Sequence, residues 1–196
     1  MIGCNHWQDK SKFSEKVARQ MNFQKASVTD FHMVRKFYWN VIDDIHRNNV
    51  KNENLGWKKG VYPSDSYIQS SLIKGELYTL TEKNLLYACV ILNSEHNEGY
   101  HNCAWSIDCD PNDVLIPHTL AVDPALQGKG IGKIVVENIR KIAKKEQKRA
   151  IRLDVLGACK AAEYLYLSCG FQFVEAKIMY CEDTGWTEFK MFELNL

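Results

Sequence analysis

The chain has 196 residues, of which 45% are hydrophobic, and its 25 basic residues balance 24 acidic ones; this predicts one domain with a substantial core and argues against a broad nucleic-acid footprint. Seven cysteines without a C-x-x-C pair and six histidines without H-x-x-x-H spacing predict a reduced protein with no metal site. Short apolar runs, and a polar start without a signal sequence, predict a cytoplasmic protein with no membrane partner.

Residues 1–20 are polar and weakly patterned. They predict an N-terminal extension, with a short docking helix as the alternative, and the domain itself is expected to span 21–196. The first predicted strand is Asn22–Ser27, after which Thr29 is expected to cap a helix. Apolar residues at three- and four-residue spacing predict one buried stripe along this helix. They are Phe31, Val34, Tyr38, Val41 and Ile45.

The segment 48–63 is rich in Asn and Gly and is predicted to be a loop. Ser64 is expected to cap a short helix that ends at Gly75. Two predicted strands, Leu77–Thr81 and Leu85–Leu92, then flank a hairpin turn. A further strand is expected around Cys103–Ile107.

The second half of the chain alternates between strand and helix. The predicted strands are Leu115–Val122, Ala150–Leu156, Phe173–Cys181 and Thr187–Leu194, and the predicted helices begin near Ile131 and at Ala161. Since strands and helices alternate here, the sheet is expected to be mixed and largely covered by helices.

A glycine-rich turn joins the strand that ends at Val122 to the following helix. Backbone N–H groups at the start of a helix are unpaired and carry the positive end of the helix dipole. Glycines let a ligand approach that backbone, so the turn is suited to a phosphate or pyrophosphate. A P-loop is excluded because Ile134 follows Lys133, and a dinucleotide fingerprint because the spacing is G-x-G-x-G. Taken alone, the turn is also compatible with a purely structural role.

Two motifs in order decide between these alternatives. The spacing Gln127-x-x-Gly130-x-Gly132, after Leu-Ala-Val-Asp-Pro, resembles motif A of the GCN5-related N-acetyltransferases (GNAT). Downstream, Ala162-x-x-Leu165-Tyr166-x-x-x-Gly170-Phe171 resembles the second signature of this family, with a strand between the two motifs. The resemblance extends from Asn22 to the C-terminus. It is to bacterial members of the family whose substrates are undefined. It implies an α/β fold with a mixed central sheet of about seven strands, helices on both faces, and a splay between the fourth and fifth strands.

The resemblance also implies how acetyl-CoA binds as co-substrate. The main chain of Leu120, Ala121 and Val122 is expected to pair with the pantetheine arm as an added strand would. The expected pyrophosphate cradle is Gln127, Gly128, Lys129, Gly130, Ile131, Gly132 and Lys133. The two lysines either neutralise phosphate charge or form a solvated helix face. Cys159 stands where the family often has Asn, which implies a weaker ligand contact or a different local turn.

Acetyl transfer to an amine requires two proton transfers. A primary amine has a pKa near ~10, so roughly one molecule in a thousand can attack at neutral pH, and a nearby base removes the proton. Tyr166 occupies the family's tyrosine position and is expected to protonate the departing thiolate, with packing as the alternative. His118 is the only titratable side chain on the fourth strand and is the candidate base, with a hydrogen-bonded core histidine as the alternative. Strand alternation predicts that His118 shares one face with Leu120 and Val122.

These features predict an acetyl-CoA-dependent N-acetyltransferase that acts on a small-molecule amine. The alternatives are a peptide or protein amine acetyltransferase and a non-catalytic acetyl-CoA-binding module. The expected partners are acetyl-CoA and the acceptor amine, and a homodimer is an expected assembly. Aromatic residues available to hold a cationic acceptor are Trp57, Tyr62 and Trp105.

Overall fold

The computed structural model describes residues 21–48 and 56–196, so the predicted extension 1–20 lies outside the described residues. Within these ranges seven strands form one mixed sheet. They are β1 (Asn22–Lys25), β2 (Leu77–Glu82), β3 (Leu85–Asn93), β4 (Val114–Val122), β5 (Ala150–Leu156), β6 (Gln172–Cys181) and β7 (Gly185–Asn195). Four helices pack against them: α1 (Phe31–Asn48), α2 (Asp65–Ile73), α3 (Ile131–Lys145) and α4 (Lys160–Ser168).

The strand order is β1-β2-β3-β4-β5-β7-β6, and the predicted mixed sheet is confirmed. Helices α3 and α4 cover one face, where Val135, Ile139 and Tyr166 enter the core. On the opposite face, α1 and α2 bury Val34 and Ile68 against the first strands. None of the described helices is both long enough and apolar enough to span a membrane.

Two local predictions were wrong. Cys103–Ile107 forms no strand, because its polar groups bond to neighbouring turns and side chains instead of to a sheet partner: the Trp105 indole donates to the carbonyl of Tyr100 (2.9 Å). Thr29 does not cap α1. The chain enters α1 through a 3-10 turn at Val28–Asp30, which begins at Ser27, whose N–H donates to Asp30 (2.8 Å). The short Asp side chain reaches back more directly than Thr29 can from inside the turn.

The sheet opens between its two parallel strands. Strands β4 and β5 pair only at Val114 with Ala150 and at Leu115 with Ile151. Beyond these pairs both strands continue without bonding to each other, β4 as far as Val122 and β5 as far as Leu156. The predicted splay is therefore confirmed, and it leaves backbone groups of β4 open on its β5 side.

A bulge in β4 changes which side chains share a face. Thr119 has φ 49°, and the register with β3 shifts there, so that His118 lies opposite Ile91 and Ala121 opposite Cys89. One extra residue in a strand inverts the alternation beyond it. The prediction that His118 shares a face with Leu120 and Val122 was therefore wrong: His118 points to the α1 side of the sheet, while those two residues pack on the α3 side.

Candidate active site

The glycine turn before α3 forms an open cradle. Gly128 (φ 74°) and Gly130 (φ 84°) both adopt left-handed backbone, and a Cβ built on either would meet no heavy atom within 4 Å. Gly130 is the N-cap residue of α3, and the first turn of the helix carries no acidic side chain. The turn offers unpaired backbone N–H groups, the positive end of the helix dipole and free space at the same place. It therefore fits a pyrophosphate.

The third glycine has another role. A Cβ on Gly132 would lie 3.0 Å from Leu165 Cδ2, so this glycine allows α4 to pack closely on α3. Gln127, Lys129 and Lys133 are exposed around the turn. The predicted cradle residues thus lie together in one turn before α3. Gly132 is required to be glycine by the packing of α4 on α3.

Tyr166 lies on α4 with only 6% of its surface exposed, and its ring packs edge-on against Phe171 at 5.3 Å between centroids. Its hydroxyl makes no hydrogen bond to any other described residue. Burial raises the pKa of Tyr166 most, and the neighbouring side chains of Cys159 and Asp154 act in the same direction. The phenol therefore keeps its proton at neutral pH and can donate it.

Cys159 is the N-cap residue of α4, and its side chain makes no capping hydrogen bond. Its backbone N–H instead donates to the carbonyl of Leu156 at 2.7 Å, which closes the turn between β5 and α4. The loop is therefore ordered by main-chain bonding without the polar side chain that the family often places there.

His118 is held by side-chain hydrogen bonds. Its Nε2 donates to Asn93 Oδ1 (2.8 Å), and the Asn93 amide donates in turn to Glu76 (3.2 Å), which fixes the amide orientation. Burial lowers the pKa of His118 to about 4, although the charge of Glu95 opposes this shift. The ring is neutral at pH 7 and is a weak base.

The predicted acceptor aromatics do not converge on one place. Trp57 packs edge-on against Tyr38 (5.9 Å), and its carbonyl bonds to His46 (3.0 Å). The ring of Trp105 is covered by the guanidinium of Arg152 at 4.5 Å. Both indoles already have protein partners, so a packing role fits them better than ligand binding.

Tyr62 belongs to a different group, centred on a carboxylate that sequence analysis did not place in the site. Tyr100 donates from its hydroxyl to Asp154 Oδ2 on β5 at 2.7 Å. Burial chiefly raises the pKa of Tyr62, and its neighbours Tyr67, Asp154 and Asp183 act in the same direction. The same is true of Tyr100, on which Asp154 acts next after burial. Of these residues Tyr100 bonds to Asp154 directly, and Tyr62 and Asp183 lie close enough to interact with Asp154 electrostatically.

Asp154 is partly exposed, although most of its surroundings are protein. Burial raises its pKa, while the bond from Tyr100 lowers it and the charge of Asp183 raises it further. The signal in the sequence was a carboxylate on the strand Ala150–Leu156, on which Arg152 is the other charged residue. Tyr100 gave no signal, since it lies in an irregular segment.

The acetyltransferase (GNAT) domain model matches residues 75–173. Similar solved structures include a GNAT acetyltransferase of Streptococcus agalactiae (TM-score 0.72, 13% identity, 90% of this chain and 95% of that one). The ribosomal-protein-S18-alanine N-acetyltransferase of Escherichia coli has a TM-score of 0.60 and 18% identity, and the match covers 89% of this chain and 93% of that one. The yncA protein of Salmonella typhimurium, solved with its cofactor acetyl-CoA, has a TM-score of 0.58 and 16% sequence identity, and the match covers 90% of this chain and 94% of that one.

No curated protein sequence matches the chain. The likeness to solved structures at these identities establishes the fold, and the domain match covers half of the chain, including the glycine turn and Tyr166. The chain therefore belongs to the GNAT family and is an acetyltransferase.

Proposed function

We propose that the protein transfers the acetyl group of acetyl-CoA to the amine of a small molecule by direct attack. The observation that carries this proposal is the opening between β4 and β5, which leaves backbone groups of β4 unpaired on the β5 side. A linear thioester fits such an opening, since its arm can add to β4 as an extra strand.

Acetyl-CoA would be held by main-chain groups more than by side chains. Leu120, Ala121 and Val122 would pair with the pantetheine arm, and the turn at 127–133 would receive the pyrophosphate. Support comes from the open cradle at Gly128 and Gly130, and from the acetyl-CoA in the similar Salmonella typhimurium protein. Cys159, at the end of β5, borders this arm by its place in the fold.

Tyr166 would supply the proton for the departing thiolate. A buried phenol with no hydrogen-bond partner among the described residues is free to bond to sulfur, and its raised pKa keeps it protonated. His118 was the proton acceptor proposed from sequence. Its neutral ring can accept a proton, but a pKa of about 4 makes it a weak base for an amine of pKa near ~10.

The test is thiol release from acetyl-CoA with a panel of acceptors: small alkylamines and arylamines, a peptide with a free N-terminal alanine, and a peptide whose only amine is a lysine. We expect turnover with small amines above the rate of hydrolysis without acceptor, and mass spectrometry should show the N-acetyl product. Turnover with the peptides alone would assign a protein acceptor. Binding of acetyl-CoA without turnover on any acceptor would indicate a non-catalytic module.

A further inference from the structure

The bulge in β4 holds one residue in a backbone conformation that this residue type disfavours. Thr119 has φ 49°, and together with Leu120 it lies opposite the single residue Val90 of β3. Bulges whose first residue is left-handed usually carry glycine at that position. Left-handed backbone is unfavourable for a residue with a Cβ, and more so for a β-branched one. Contacts from outside the strand must therefore keep Thr119 in this conformation.

Tyr38 of α1 provides such contacts. Its hydroxyl donates to the carbonyl oxygen of Thr119 at 3.1 Å, and it lies 3.0 Å from the Oγ1 atom of the same residue. Since the phenol gives its one proton to the carbonyl, Oγ1 is the donor in the second bond. The two bonds fix both the direction of the Thr119 carbonyl and the rotamer of its side chain. They join residues 81 positions apart in sequence.

Burial makes these two bonds hard to replace. Tyr38 is 0% exposed and Thr119 is 7% exposed. The Tyr38 ring packs edge-on against Phe37 and Trp57, at 6.0 and 5.9 Å between centroids, which fixes the place of its hydroxyl. If Thr119 returned to extended backbone, its carbonyl would turn away from this hydroxyl. Buried polar groups would then lose their partners, which costs free energy.

The bulge determines which backbone groups of β4 face the splay. In a strand, the N–H and C=O groups of successive residues point alternately toward the two neighbouring strands. One extra residue inverts this alternation for the residues that follow it. Leu120–Val122 follow the bulge and lie beyond the last pair with β5. Without the bulge, the groups of this stretch that now face the opening would face β3, and those that face β3 would face the opening.

We infer that Tyr38 is a positioning residue for acetyl-CoA. It holds Thr119 in left-handed backbone and thereby sets the register in which β4 presents its main chain to the pantetheine arm. This inference rests on the proposed function for the place of that arm. Tyr38 packs on the α1 side of the sheet, with Ala121 in the same cluster, and its hydroxyl is used by Thr119. It therefore acts through the bulge and not on the reacting atoms.

The first experiment is Tyr38→Phe, which removes the hydroxyl and keeps the ring contacts. We expect the Kd of acetyl-CoA, measured by calorimetry, to rise by about tenfold, because the bulged conformation is then less populated. Hydrogen exchange followed by NMR on the ligand-free protein gives a readout that does not involve activity. The amides of Leu120–Val122 should exchange faster in the variant, while those of 114–116, before the bulge, should be unchanged.

The decisive variant is Thr119→Gly, because glycine adopts left-handed backbone without strain. In this background the bulge no longer depends on the phenol. Adding Tyr38→Phe to Thr119→Gly should therefore raise the Kd of acetyl-CoA by only about twofold or less, against about tenfold in the threonine background. If Tyr38 were merely a core residue, its replacement would cause the same loss in both backgrounds. Equal losses, or no loss in Tyr38→Phe, would overturn the inference.

Two further variants complete the comparison. Thr119→Val keeps the β-branched shape and removes only the hydroxyl that bonds to Tyr38, and it should weaken acetyl-CoA binding by about threefold or more. Wild-type affinity in this variant would contradict the inference even if Tyr38→Phe fails to fold. The matched control is Tyr78→Phe, since Tyr78 is 8% exposed but lies on β2, two strands away from β4. It should bind acetyl-CoA as the wild-type protein does.

Binding and turnover separate this inference from the proposed function. If the Kd of acetyl-CoA depends on Tyr38 only in the threonine background, but no amine is acetylated, the proposed function fails and the positioning role stands. If amines are acetylated while the Kd is the same in Tyr38→Phe and in the wild-type protein, the inference fails and the proposed function stands.

Discussion

The cradle proposed for the pyrophosphate and the cluster of side chains around Asp154 are built in opposite ways. The proposed cradle is one continuous segment, 127–133, and offers mostly backbone. The cluster around Asp154 joins Tyr62, Tyr100, Asp154 and Asp183 from four segments, and it offers side chains. A continuous backbone site keeps its spacing whatever the rest of the chain does. A site built from side chains of several segments forms only after the sheet has formed. A single substitution at any of these positions changes its chemistry.

The largest effect should come from closing the cradle. Gly130→Val would place a side chain in the space where no atom lies within 4 Å. A saturating ligand at 100 times its Kd stabilises a protein by about 2.7 kcal/mol, and we expect this acetyl-CoA-induced rise in Tm to disappear. Differential scanning fluorimetry with and without acetyl-CoA measures it.

The left-handed backbone of Gly130 also makes valine intrinsically destabilising there, by about 1–2 kcal/mol. Gly185→Val is the matched control, because Gly185 has φ 67° and equally open surroundings but lies in the β6–β7 turn. It should lose Tm without losing the response to acetyl-CoA. A full response in Gly130→Val would show that the cradle does not hold the ligand.

Tyr166→Phe tests the residue proposed to protonate the departing thiolate. It removes one hydroxyl and preserves the ring contact with Phe171. We expect kcat to fall by about 10²-fold, within the general-acid range, with unchanged affinity for acetyl-CoA. Steady-state kinetics and calorimetry check the two quantities.

Tyr164→Phe, on the same helix and 73% exposed, is the control and should behave as the wild-type protein does. If Tyr166→Phe instead loses stability and affinity together while kcat is retained, Tyr166 is a packing residue, and the acid must be sought elsewhere.

The same contrast explains what the sequence could predict. The strands, the splay and the glycine turn follow from hydrophobic alternation and local motifs, which act over a few residues. The hydrogen bond from Tyr100 to Asp154 joins two residues that are 54 positions apart in sequence. No local sequence pattern around either residue predicts it. The bulge at Thr119, with φ 49°, could not be predicted from the sequence either, since β-branched residues rarely adopt that conformation. This one residue moved His118 to the other face of the sheet.

His118→Gln asks whether His118 belongs to the wall of the cleft or to its chemistry. The pKa of His118 is about 4 in the folded protein, against 6.5 for an unperturbed histidine, so the unfolded chain binds the proton more readily. The stabilisation by neutral His118 is complete above pH 6.5 and is lost as pH falls toward 4. Between about pH 7 and about pH 5 the wild-type protein should therefore lose about 1–2 kcal/mol more unfolding free energy than the variant.

Urea unfolding at the two pH values measures this difference, and His32→Gln, at an exposed position on α1, is the control that should show none of it. In the activity assay, we expect His118→Gln to keep kcat within about tenfold. A loss of about 10²-fold or more at neutral pH that recovers at high pH would return the role of base to His118.

The smallest effect concerns the two lysines of the cradle. Lys129 and Lys133 are exposed, and exposed charges contribute about 0.2–1 kcal/mol each. Replacing either by Ala should weaken acetyl-CoA binding by about two- to fivefold, and the deficit should shrink at high salt because screening removes the charge contribution from the wild-type protein as well. Calorimetry at low and high ionic strength measures it, with Lys141→Ala, exposed further along α3, as the control. If neither variant differs from this control at low salt, the cradle acts through its backbone alone, and its contrast with the side-chain cluster around Asp154 becomes complete.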